Sequence, residues 1–305
     1  MFPLPGPSGV RLSVAVLGVL AVLTACGTAG PPQGDTDDAI RFASYDFQEN
    51  QILVEVYAEG VRRAGLPVSV QHGIGTREVV VPALEQGVVD VVVEYLGTAL
   101  VFNLPDGTEL PGTPEEMADL LEGTMEERDI EVVEAARAED QNGFAVTTAF
   151  AARNGVGRLS ELAALAPELT FGGPPECPDR PLCLPGLREV YGLEFGAVRT
   201  MNSRAATVEA LLAGQIDVGL LETTDARLGI APVTLLIDDR QLQPRENVVP
   251  LVREEVADRW GEDLTDTLDE TSARLTTAGL VRLNRAVELD GATPAEAAEQ
   301  WWAGY

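Results

Sequence analysis

The chain has 305 residues, enough for one large domain or two of ordinary size, and 45% of them are apolar, enough to bury a core. Its 49 acidic residues outweigh 21 basic ones, every one an Arg, giving a net charge of −28 that would repel a polyanion such as nucleic acid. A single His and three Cys leave too few ligands for a His-rich metal site or a zinc cluster, so neither metal nor cofactor is expected.

Residues 1–25 read as a secretory signal. Arg11 precedes the apolar run 12–23, which is too short for an ordinary membrane-spanning helix of ~20 residues. The ending Leu23-Thr24-Ala25-Cys26 resembles the bacterial lipobox, in which the Cys becomes the lipid-bearing first residue. Residues 26–38, rich in Gly, Pro and Asp, then read as a lipid-anchored linker. Cys177 and Cys183 remain, six apart in a Pro-rich loop. In an oxidising compartment they are expected to pair as a disulfide.

The folded part opens with a short strand at 40–44. Asp46 is placed to cap a helix, with Glu49 closing a capping box. Ile52, Leu53, Val56, Tyr57, Val61 and Ala64 share one face of that helix, and Gly65 ends it. A second strand at 67–71 leads past the only His, His72, to a helix at 77–86. Gly87 stops this helix before a nearly all-apolar strand at 88–93, the pattern of a buried parallel sheet. The order β-α-β-α-β makes the fold class α/β. A second such region begins near Phe144. Strands at 144–148 and 170–171 flank a helix near 160–166, followed by a helix at 187–191, a strand at 195–199 and a helix at 204–213. From Glu254 onward the chain reads as amphipathic helix, finishing with Trp301-Trp302.

One internal echo links the two regions. Ala83-Leu84-x-x-Gly87-x-Val89-Asp90-Val91 recurs as Ala210-Leu211-x-x-Gly214-x-Ile216-Asp217-Val218. In register, Tyr95 of the first copy corresponds to Glu222 of the second. Open α/β sheets bind ligands beyond the C-terminal ends of their strands, so Tyr95 to Thr98 and Glu222-Thr223 are candidate cleft residues.

The stretches Thr76 to Val80, Ala83 to Leu100, Asp217 to Asp225 and Leu236 to Pro250 resemble substrate-binding lipoproteins of ABC importers for quaternary-amine osmoprotectants. Glu94-Tyr95-x-Gly97-Thr98 is the most specific piece. The resemblance implies a two-lobed type II periplasmic-binding fold with a ligand cleft between lobes, closing by hinge motion. One lobe would comprise 39–142 plus 247–305, the other 143–246. It further implies a cation-holding role for Tyr95 and for an aromatic at Phe144, and a carboxylate-holding role for Thr98 and Arg180. Tyr45, Thr76 and Asn142 would add ligand contacts. Two family aromatics are absent: Leu221-Glu222-Thr223 stands where one is usual, and Arg245-Glu246 follows Gln243-Pro244 where some members have a tyrosine. Glu222 is the candidate substitute charge. The implied partners are a small quaternary amine (glycine betaine, choline, carnitine) and the ABC permease subunits, with the membrane reached through the lipid anchor on the extracytoplasmic side. Ergothioneine or a cationic amino acid is the alternative ligand. An extracellular hydrolase is the rival class. It lacks a Gly-x-Ser-x-Gly motif here, and His72, beside Gly73, reads as a loop residue.

Overall fold

A computed structural model describes residues 38–105 and 108–305; Cys26 and the leader lie outside them. The first apolar run forms β1 (Ile40–Ala43), and the amphipathic stretch after it forms α1 (Gln48–Arg63). Ile52, Leu53, Val56, Tyr57 and Val61 are buried along its inner side. The helix begins otherwise than expected. Its N-cap is Phe47, with no capping side chain, so Asp46 and Glu49 form no capping box. Glu49 turns inward instead, accepting from Tyr95 Oη at 2.8 Å and Asn284 Nδ2 at 2.6 Å. Buried donors need an acceptor more than a backbone N–H in contact with water does.

β2 (Val68–Gln71), α2 (Arg77–Glu85), β3 (Val91–Tyr95), α3 (Leu96–Asn103), α4 (Pro114–Glu126) and β4 (Ile130–Val132) complete the first region. The second contains β5 (Asn142–Thr147), α5 (Thr148–Asn154), β6 (Thr170–Gly173), α6 (Leu184–Tyr191), β7 (Ala197–Thr200), α7 (Arg204–Leu212), β8 (Val218–Glu222) and β9 (Val233–Leu235). No α-helix forms at 160–166. Two 3₁₀ turns, Leu159–Leu162 and Ala166–Glu168, take its place, and Pro167 supplies no N–H to continue a helix. A disulfide joins Cys177 to Cys183 in the loop before α6. The chain then returns through β10 (Val248–Arg253) and ends in α8 (Glu254–Trp260), α9 (Glu262–Arg274), α10 (Thr277–Glu288) and α11 (Pro294–Trp302). Trp302 anchors the tail on α1, its indole N–H donating to Val56 O at 2.8 Å.

The strands make two five-stranded sheets of one design, ordered β2-β1-β3-β10-β4 and β7-β6-β8-β5-β9. In each, three parallel strands are continued through two antiparallel pairings. The apolar run of β3 therefore marks a strand covered on both faces rather than a purely parallel sheet. Val91 and Val93 enter one core, and Val92 enters another.

The internal echo has a structural cause. Gly87 and Gly214 take φ of +68° and +67°, a left-handed turn that only Gly adopts cheaply. The Asp after each then clamps the adjacent parallel strand. Asp90 donates its N–H to Arg41 O at 2.8 Å and accepts Arg41 N–H at 2.9 Å; Asp217 does the same with Thr170, at 2.8 and 2.9 Å. Asp90 also holds the Arg41 guanidinium, with Nε at 2.8 Å. Replacing either Asp with Ala orphans a strand N–H, and Asp90→Ala removes an ion pair as well. Urea denaturation should show Asp217→Ala costing ~1–2 kcal/mol and Asp90→Ala measurably more. Equal costs would contradict the added contribution of Arg41.

Candidate ligand-binding cleft

The segment Glu94-Tyr95-x-Gly97-Thr98 is where β3 gives way to α3, and each of its residues has a separate task. Glu94 is buried, and a buried carboxylate needs partners. It accepts from Arg77 Nε at 3.0 Å, from Arg77 Nη2 at 2.9 Å and from the Tyr45 hydroxyl. The Arg77 guanidinium also lies 4.9 Å from the centroid of the Tyr45 ring. Tyr95 ends the strand with its ring 6.2 Å from that of Phe47. Gly97 donates its N–H to Arg245 O at 3.0 Å, and a Cβ there would sit 2.8 Å from that same oxygen. Thr98, in the first turn of α3, donates its N–H and Oγ to Glu246 at 3.0 and 2.8 Å.

Two chain segments cross between the sheets side by side. Ala136 N–H donates to Val248 O at 2.7 Å, Val248 N–H to Ala138 O at 2.9 Å, and Asp140 N–H to Glu246 O at 3.1 Å. Beyond the crossing, Asn142 Nδ2 donates to Gln243 Oε1 at 3.1 Å, and Gln243 Nε2 donates to Leu182 O at 2.9 Å. Glu222, the last residue of β8, is paired with Arg204, whose Nε is at 2.7 Å. Phe47, Tyr95, Thr98, Asp140, Glu222 and Glu246 face one cavity of about 240 Å³. A larger cavity of about 1040 Å³ shares Asn142, Leu182 and Gln243 with it and extends to the disulfide loop.

Tyr95, Thr98, Asn142 and Glu222 are thus brought together. Arg180 lines only the larger cavity, from within the disulfide loop. Thr223 stands behind the site, its Oγ accepting Gln141 N–H at 2.9 Å. Tyr45 is buried beneath Arg77. Thr76 caps no backbone N–H, and its hydroxyl donates to Glu78 at 2.5 Å. Phe144 is a core residue, 1% exposed and packed 6.3 Å from the Phe171 ring. Both faces of β5 are covered, Phe144 and Val146 entering one core and Ala145 another, so only the strand's first residue, Asn142, reaches the cavity. His72 bonds Glu55 at 2.9 Å beside α1 and lines neither cavity. Phe47, Arg77, Asp140 and Glu246 also line the smaller cavity, and none of them is among the expected contacts. Phe47 follows the end of β1 as Tyr95 ends β3, so the strand-end rule would have reached it. Its 40% exposure in a large aromatic is the structural signal.

Residues 38–304 match the family described as the substrate-binding domain of ABC-type glycine betaine transport systems. The chain is 30% identical over 283 residues to a glycine-betaine-binding protein of Pseudomonas aeruginosa, covering 88% of each. It is 27% identical over 288 residues to a carnitine transport binding protein of Listeria monocytogenes, covering 92% of this chain and 90% of that one. A crystal structure of a glycine betaine/carnitine/choline ABC transporter superposes with a TM-score of 0.79 at 22% identity, over 87% of this chain and 98% of that one. That last likeness is one of fold, the two-lobed type II periplasmic-binding architecture.

The cleft is acidic and dry enough to hold protons. Burial pushes the Glu246 carboxyl up to about 7, against the Thr98 bonds and Arg77. Burial also holds Asp140 well above the usual carboxylate range, reinforced by Glu49 and Glu222, and Glu49 is raised by burial too. All three shifts are upward, so the folded chain keeps protons that the unfolded chain has released. Stability therefore falls as pH rises from the ordinary carboxyl value of 4.5 through about 7. Glu246→Gln removes the Glu246 part of that slope. Without ligand, the variant should match the parent near pH 4 and exceed it by ~3 kcal/mol above about pH 8 in chemical denaturation. A constant difference across the range would contradict the assignment.

Proposed function

This chain belongs to the family of substrate-binding domains of ABC-type glycine betaine transport systems, and on that premise we propose that it captures a quaternary-amine osmoprotectant between its lobes and delivers it to an ABC permease. The observation that carries the reading is the smaller cavity: the rings of Phe47 and Tyr95 with the carboxylates of Asp140, Glu222 and Glu246 around them. A trimethylammonium group has no N–H to donate, so aromatic faces and negative charge are what hold it. Nothing in such a cleft needs to react, and the protein acts as a binder rather than an enzyme. The lobes of this reading are 39–142 with 247–305 and 143–246, the first crossing falling at the edge of β5. Closure turns on the paired crossing segments.

The same reading makes the chain an extracytoplasmic lipoprotein, its signal removed before Cys26 and its body tethered by residues 26–38. The lipobox-like Leu23-Thr24-Ala25-Cys26 supports it. Acidic lining also favours cationic solutes in general, which keeps a cationic amino acid as the second reading.

Titration calorimetry with choline, glycine betaine, carnitine and arginine tests the ligand class. At least one quaternary amine should bind, and Tyr95→Ala should weaken it by ~0.5–2 kcal/mol. Arginine binding with no quaternary amine detected at millimolar concentration would replace the reading by the second one. For the anchor, Cys26→Ser should move the protein from the membrane fraction to the soluble one. An unchanged distribution would remove the lipid from the account.

A further inference from the structure

We propose that Glu246 is a specificity-determining residue of the cleft: its carboxylate occupies the donors that would receive a ligand's anionic group, so the site selects a cation with no carboxylate beside it. The inference rests on the quaternary-amine reading and narrows it.

The first-turn N–H of α3 is where an anion is best placed, since it points out of the helix at the positive end of its dipole. Thr98 lines the cavity, and Glu246 takes both its N–H and its hydroxyl. The other donor-bearing side chains on the lining each have a partner of their own. Arg77 holds Glu94, the Tyr95 hydroxyl holds Glu49, and the Asn142 amide holds Gln243. Arg204, just behind the lining, holds Glu222. Of the three acidic side chains on the lining, Asp140, Glu222 and Glu246, only Glu222 has an ion-pair partner, and Arg77 is the single guanidinium there.

Glu246 has no easy way to leave. Its own carbonyl accepts the Asp140 N–H at 3.1 Å, and the residues on either side accept from α3, Arg245 O from Gly97 at 3.0 Å and Asn247 O from Leu96 at 3.0 Å. The side chain is buried, so swinging aside would break both Thr98 bonds at once. In glycine betaine the carboxylate is one carbon from the ammonium, so seating the ammonium against Phe47 and Tyr95 in the smaller cavity puts the carboxylate in the same cavity as Glu246. Like charges brought together in a desolvated site discriminate strongly. Choline ends in a neutral hydroxyl and meets no such penalty. A zwitterion with its anion farther off has the larger cavity and Arg180 available on the other side.

The test is calorimetry of choline and glycine betaine at about pH 8, where Glu246 is ionised, on the parent, Glu246→Gln and Glu246→Ala. The parent should bind choline roughly tenfold or more tighter than glycine betaine. Glu246→Gln removes the charge and should cut that preference several-fold; Glu246→Ala, which also frees the Thr98 donors, should cut it further. A merely structural role would weaken both ligands together and leave their ratio alone. A parent that binds glycine betaine as tightly as choline, or a ratio unmoved across the series, overturns the assignment of Glu246 and leaves the quaternary-amine reading standing. Binding of neither ligand nor carnitine by the parent brings down both.

Discussion

The close passage of residues 244–247 across the start of α3 is the constraint on which the rest of the cleft depends. Gly97 permits it, because any Cβ would collide with the Arg245 carbonyl at 2.8 Å. With that contact made, two backbone bonds from α3 hold the returning chain, Glu246 reaches Thr98, and β10 is delivered in antiparallel register beside β3. The returning chain also pairs with the outgoing one at 136–140, so both inter-lobe crossings are registered by a single seam. The geometry of the cleft and the register of the sheet are therefore set by the same few atoms.

Around that seam the cleft is built as an arrangement of carboxylates, each given a different fate. Glu94 is neutralised by Arg77 and the Tyr45 hydroxyl, and serves to fix the guanidinium. Glu49 reaches across to Tyr95 and Asn284, and Asn284 in turn donates to Thr224 O at 3.0 Å, tying α1 and α10 to the loop after β8. Asp140 and Glu246 are left facing the cavity with burial working against their charge. A cationic ligand would restore the balance that burial removes, and so binding and the protonation of these groups are linked. The aromatic component is small by comparison. Phe47 is backed by Tyr45 in a parallel stack at 6.1 Å, which steadies its ring without closing the cavity.

Much of this was written locally in the sequence. The α/β class, the buried β3 and β8, the left-handed Gly87 and Gly214 and the repeat that joins them follow from periodicity and turn chemistry, which neighbouring residues decide. The strand-end positions Tyr95 and Glu222 followed from the same repeat. Pairing of Cys177 with Cys183 was legible too, because two cysteines in one short loop have few other partners. The family signature Glu94-Tyr95-x-Gly97-Thr98 was visible as a pattern, although the reasons for its Gly and Thr were not.

Only the tertiary structure decided which side each residue would face and what would lie opposite it. Phe144 has the composition of a cage residue, but it lies two positions inside β5, a strand covered on both faces, whereas Asn142 at the strand's start reaches the cleft. Glu49 has the spacing of a capping residue, but Tyr95 and Asn284, distant in the chain, offered it buried donors. Glu246 reads as one more acid among 49 until the fold brings it against Thr98, nearly 150 residues away in sequence. Local pattern determines secondary structure because its forces act over a few residues. A binding cleft is made of contacts between segments far apart in the chain, and no local pattern encodes their meeting.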